Sequence, residues 1–278
     1  MKKILLAIDA GHMDTEVIHF ACNIARLTHS TLTGVFLSNY IEEVQMVNTV
    51  IGMPYVENVI TGNIPDTVLQ QKQAAHIQQF EKTCDVKGVR CLVQCSNTKD
   101  PARTIIEESR FADMVIVQAT MLFEKRQDEA PTGFVKEVLA QAECPVIVAP
   151  LSLERIEQIV FAYDGSASAV FAIKQFAYLF PEFSDKKAIV LQVNKEETMP
   201  VTEKEKLGKL LRMHYSGIGF QVLQGKPSDE LFGYLLGQQN TIVVMGAFGR
   251  SWLSGLFKPA TAGLLLKTIN LPFFITHH

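Results

Sequence analysis

Residues 4–11 read ILLAIDAG, and residues 159–166 read IVFAYDGS. Each stretch is an apolar run closed by an aspartate, Asp9 or Asp164, and then by a small residue. Two further pairs lie downstream: DMVIVQA from Asp113 answers TIVVMGA from Thr241, and ECPVIVAP from Glu143 answers NLPFFITH from Asn270. The chain is one unit written twice, which sets its architecture before any single residue is weighed. Its 278 residues suit two domains at roughly 150 residues each, and the matching runs divide them at 1–152 and 153–278.

The first copy is the longer. Most of the excess lies between Ser38 and about Asp66, where no helical or alternating period persists. It reads as an insertion without an assigned role. Ile51, Met53, Tyr55, Val56 and Val59 are apolar anchors that would hold it over one end of the first half or over its neighbour.

Around the opening stretch, short runs of Val, Ile and Leu alternate with segments of helical period. In the first half the expected strands are 4–8, 32–37, 89–94, 114–118 and 145–149, and the intervening helices begin near Asp14, Asp66, Asp100 and Thr132. Strands apolar at nearly every position need cover on both faces, which a parallel sheet with crossover helices supplies. The expected fold is α/β: two tandem open five-stranded parallel-sheet domains with flanking helices. The two last strands, each preceded by a proline (Pro145, Pro272), are apolar enough to need covering, and pairing them edge to edge within the chain would make a pseudo-dimer. Ligands of such sheets bind beyond the carboxyl ends of the strands, so function is expected after strands one and four of each half.

Composition narrows the function. Hydrophobic residues at 47% and charged residues at 20% exclude wholesale disorder, and 26 basic against 29 acidic side chains, net −3, give nucleic acid no electrostatic footing. Five cysteines without a CxxC pair argue against a disulfide framework or structural zinc and favour a reducing compartment. Cys91 and Cys95, on one face of a strand, read as buried thiols rather than a metal or redox pair. The opening MKKILLAIDA is interrupted by Asp9 too early for a signal peptide, and no apolar run is long enough to cross a membrane. The expectation is a cytoplasmic protein. No HExxH or GxSxG pattern supports strong catalysis.

After strand four of the second half the chain runs MGAFGRSWLSGLFKPATAG, with Gly246 and Gly249 two residues apart and Thr261 at a helix start. Glycines let successive backbone N–H groups approach an anion, and a helix start adds unpaired donors. Repeated five-strand units, an aspartate closing strand one, glycines after strand four and a proline-led last strand together resemble the universal stress protein family in its tandem form, over both halves apart from the insertion. Its ATP-binding members, within the wider adenine nucleotide alpha hydrolase-like group, carry Gly, two residues, Gly, nine residues, then Gly and Ser or Thr. Here Gly246 and Gly249 match, while Pro259 and Ala260 stand at the final pair, followed by Thr261.

The resemblance implies a site for ATP or another adenine nucleotide, with magnesium as its companion ion. Asp164 and Gly165 would lie beside the adenosine, and the backbone of Val193 beside adenine. Met245, Gly246, Gly249, Arg250, Lys258, Ala260 and Thr261 would form the phosphate loop. Asp164 reads equally as a turn or helix-capping residue. In the first half Ala119 and Leu122 stand for the two glycines and Thr132–Gly133 for the final pair, so that half is expected not to bind ATP in the family manner, and is left open to another ligand. Two functions follow: a stress-response regulator binding ATP in its second half, with weak ATPase activity at most, or a nucleotide-independent module acting through an unidentified protein partner.

Overall fold

Apolar runs flanked by polar turns become strands, and the computed structural model of the chain describes them within residues 2–39, 66–121, 123, 132–153, 155–194, 201–246 and 269–276. The first half contributes β1 (Lys3–Asp9), α1 (Thr15–Leu27), β2 (Thr31–Asn39), α2 (Asp66–Val86), β3 (Cys91–Thr98), α3 (Pro101–Ser109), β4 (Met114–Gln118), α4 (Gly133–Gln141) and β5 (Val146–Ala149). The second contributes β6 (Gln158–Tyr163), α5 (Ala167–Leu179), β7 (Lys187–Asn194), α6 (Val201–Arg212), β8 (Gly217–Gln224), α7 (Pro227–Leu236), β9 (Thr241–Gly246) and β10 (Phe273–Thr276). Of the insertion expected over 38–66, Ser38 belongs to β2 and Asp66 to α2, and residues 40–65 lie outside the described residues, as do Leu122, Gly249, Arg250, Lys258, Pro259, Ala260 and Thr261.

The helix starts follow capping chemistry. Asp14, Asp100 and Thr132 each accept a hydrogen bond from a free N–H of the first turn of α1, α3 and α4, and Ser166 does so for α5. Asp14, Asp100 and Thr132 are the positions expected from sequence, whereas the cap of α5 is Ser166 rather than Asp164. At β3 the expectation of 89–94 is displaced to Cys91–Thr98, because a half-exposed strand carries no continuous apolar run to mark its ends.

One ten-stranded sheet results, in the order β3-β2-β1-β4-β5-β10-β9-β6-β7-β8. Every pairing is parallel except that of β5 with β10, where Val148, Ile147 and Val146 oppose Phe273, Phe274 and Ile275. The two last strands thus cover each other's edges, as the pseudo-dimer reading requires. Repetition holds down to single bonds: Val115 N donates to Pro145 O in one half, and Val243 N donates to Pro272 O in the other, both at 2.9 Å.

Burial explains the order. Strands β4, β5, β9 and β10 are buried along almost their whole length, whereas β3 and β8, at the two outer edges, are mostly half-exposed. Two apolar layers cover the sheet, and each runs through both halves. One holds Ile4, Ile147, Phe161 and Phe274, and the other Leu5, Val148, Val160 and Phe273. Asn270 bridges the same seam, accepting from Leu151 N at 2.7 Å and donating to Ser152 O at 2.9 Å.

Candidate functional site at the strand ends

In the second half, β6 delivers Tyr163 and then Asp164 to the carboxyl edge of the sheet. Asp164 Oδ1 accepts from Ser166 N at 3.0 Å, Gly165 turns the chain at φ +82°, and Ser166 caps α5 by accepting from Ala169 N at 3.1 Å. The aspartate is therefore a turn residue. Its Oδ2 has no hydrogen-bond partner among the described residues, so it also keeps an acceptor for a ligand. The turn reading of Asp164 is met by these bonds.

Neighbouring strand ends carry further polar groups. Tyr163 donates to Glu203 Oε2 of α6 at 3.2 Å, and burial, reinforced by the negative charge of Glu203, pushes its phenol up to about 12. Gln192 lies level with Tyr163 on β7, and Asn194 ends that strand. Gln192 Oε1, Asn194 Oδ1 and, at the end of β10, Thr276 Oγ1 are buried with no hydrogen-bond partner among the described residues. Such orphaned acceptors are costly unless a ligand or water supplies a donor. Sequence reading missed them; the only signal was a polar residue interrupting an apolar strand. Val193 and Met245 are buried in the sheet, their side chains in the opposite apolar layer, which leaves only backbone for a ligand at Val193.

Gly246 is explained by packing. A Cβ there would clash with the Ser168 hydroxyl and stand 2.6 Å from that residue's carbonyl carbon and oxygen, so β9 and the start of α5 touch because this position is glycine.

The first half builds the corresponding place differently. Leu6 pairs with Ile116 as Phe161 pairs with Val244, which puts Gln118 at the place of Gly246. This corrects the expected equivalence of Ala119 with that glycine by one residue: the runs from Asp113 and Thr241, aligned end to end, also set Gln118 against Gly246. The helix also starts later: its cap Asp14 lies five residues after Asp9, whereas Ser166 lies two after Asp164. Asp9 Oδ1 accepts from Gly11 N at 2.8 Å, Asp14 Oδ1 from Glu16 N at 2.9 Å, and Asp14 Oδ2 from Gln118 Nε2 at 2.7 Å. A cavity of about 430 Å³ opens between β1, β4 and the start of α1.

No family model and no curated protein matches the chain. Solved structures do. A universal stress protein from Archaeoglobus fulgidus is 11% identical with a TM-score of 0.69, covering 99% of this chain and 98% of its own. A Pseudomonas aeruginosa structure assigned to the same family is 14% identical, TM-score 0.59, over 100% and 93%. A functionally unknown protein from Pseudomonas aeruginosa is 15% identical, TM-score 0.56, over 100% and 92%. The class is therefore α/β with one mostly parallel ten-stranded sheet. More particularly, the chain has the fold of a tandem universal stress protein along its whole length. Among the described residues no helix is long and apolar enough to cross a membrane.

Proposed function

We propose that the chain is a cytoplasmic stress-response protein in which residues 153–278 bind one adenine nucleotide, ATP foremost, and residues 1–152 are a partner half without an ATP site. The observation that carries this reading is the buried, donorless Asn194 Oδ1 at the strand ends, close in the sheet order to the open acceptor of Asp164. An adenine exocyclic amine and two ribose hydroxyls are donors of the kind these acceptors lack. Phosphates would meet the backbone beyond Gly246, with Gly249 and Thr261 giving access and hydroxyl, Ala260 a small side chain, and Arg250 and Lys258 positive charge. Magnesium would accompany the triphosphate, screening its charge.

Within such a complex the chain's own residues bind and orient. Asp164 is fixed by Ser166 N and turned by Gly165, so its free oxygen needs no reordering to meet a hydroxyl. Hydrolysis is not part of the proposal. The nucleotide acts as a state signal.

Calorimetry on nucleotide-stripped protein tests this. ATP should bind, and Asn194→Leu should weaken it about tenfold, the cost of one unmade buried hydrogen bond. Unchanged affinity in that variant would remove the support. One observation favours the nucleotide-independent interaction module instead: Ser168 accounts for Gly246 without any ligand. Under that second reading the unmodified protein binds no ATP at millimolar concentration.

A further inference from the structure

We infer that the cavity at the strand ends of the first half is a second ligand site, which takes a small protonated amine on an apolar stem and rejects phosphate. This goes beyond the nucleotide reading and does not depend on it. The cavity, about 430 Å³, falls in the size range of small-molecule sites. It exists because α1 starts late: the turn of helix that fills this place after Asp164 is replaced after Asp9 by a loop through His12 and Met13.

Its chemistry follows from which groups are already engaged. An anion at a strand-end site uses backbone N–H donors, yet here Gly11 N is taken by Asp9 and Glu16 N by Asp14. No lysine or arginine is among the described residues that line the cavity. Two carboxylates, Asp9 and Asp14, line it with the neutral amide of Gln118, and its side-chain donors are His12 and Thr120. Among the described residues no side chain hydrogen-bonds to the Asp9 carboxylate, which is held by the Gly11 and His12 N–H groups, and Gln118, whose amide nitrogen is committed to Asp14, presents its oxygen. Met13, Val17 and Ile18 supply the apolar wall. Desolvation of Asp9 is the cost that a cation in the cavity would offset, and the imidazoles of His12 and His76 face the same carboxylate from the loop and from α2.

The probe is phenethylamine, with phenylacetate as its anionic counterpart of similar shape, observed by saturation-transfer NMR and calorimetry at neutral pH. Phenethylamine should bind the intact chain, while phenylacetate and inorganic phosphate should neither bind the site nor displace it. ATP should leave the amine in place, since the nucleotide reading puts ATP in the other half. Asp9→Asn keeps the acceptor for Gly11 N and removes the charge, and should weaken the amine about tenfold or more with an unchanged circular dichroism spectrum. Equal binding of phenylacetate, no binding of phenethylamine at roughly 10 mM, or full affinity in a folded Asp9→Asn variant would each overturn the inference.

Discussion

Gly246 and Asp9 show how single residues at matching places acquire different work. At Gly246 the obstacle to a side chain is Ser168 backbone at 2.6 Å, which no rotamer change relieves. Gly246→Ala should destabilise the fold by about 1–3 kcal/mol in urea titration, the usual cost of overpacking. A neutral result would mean that α5 yields. Asp9 is strained in another way: burial pushes its carboxyl up from the usual range, against the pull of the Gly11 and His12 N–H groups and of the His12 and His76 imidazoles. A carboxyl raised in the folded state stabilises fully below its unfolded value, and that contribution is lost as pH rises through the folded one. Asp9→Asn should therefore melt higher than the parent at pH 7, with the gap closing toward about pH 3. A gap that widens in acid would reverse the assigned cause. Asp9 and Asp164 were legible in sequence because they end apolar runs. Ser168 and Gln118 were not, because their roles arise from which strand and helix meet.

Elements were read best where burial is complete. β1 and β4 announce themselves by unbroken apolar runs and α1, α3 and α4 by their capping side chains, whereas β3, half-exposed at the sheet edge, does not. The same strand overturned the expectation for Cys91 and Cys95: Cys91 is half-buried and Cys95 exposed. The thiols that meet are Cys22 of α1 and Cys84 of α2, buried with Sγ atoms 3.6 Å apart, a pairing 62 residues long that sequence spacing cannot disclose. Contact with Cys22 and burial push the Cys84 thiol up, which lowers its reactivity. Native protein treated with iodoacetamide should be labelled first at Cys95, with Cys22 and Cys84 protected until unfolding, as read by peptide mass spectrometry. Early labelling of Cys84 would show that α2 opens locally. In the second half, Phe176 of α5 packs between Phe180 at 4.8 Å and Phe274 of β10 at 5.1 Å. Phe176→Ala should cost about 3–5 kcal/mol on chemical denaturation, since it leaves a cavity under the central strands.

On the scale of the molecule, duplication creates the problem that the β5–β10 pair solves. Two open sheets each end in a buried, apolar strand, and placing those strands antiparallel removes both edges at once. Both apolar layers cross the seam, so the halves should open together in hydrogen exchange. Separate opening of β1 and β6 would contradict that. Both halves spend a strand-end carboxylate on the N–H two residues on, Asp9 on Gly11 and Asp164 on Ser166, and they differ in how soon the helix then starts. The central claim is one adenine nucleotide per chain, held by the second half. Titration of nucleotide-stripped protein with ATP in parallel with its Asp164→Ala and Asp9→Asn variants tests it most directly. The account predicts one site per chain, lost in Asp164→Ala and intact in Asp9→Asn. No binding by the parent at millimolar ATP, or binding lost in Asp9→Asn and kept in Asp164→Ala, would contradict it.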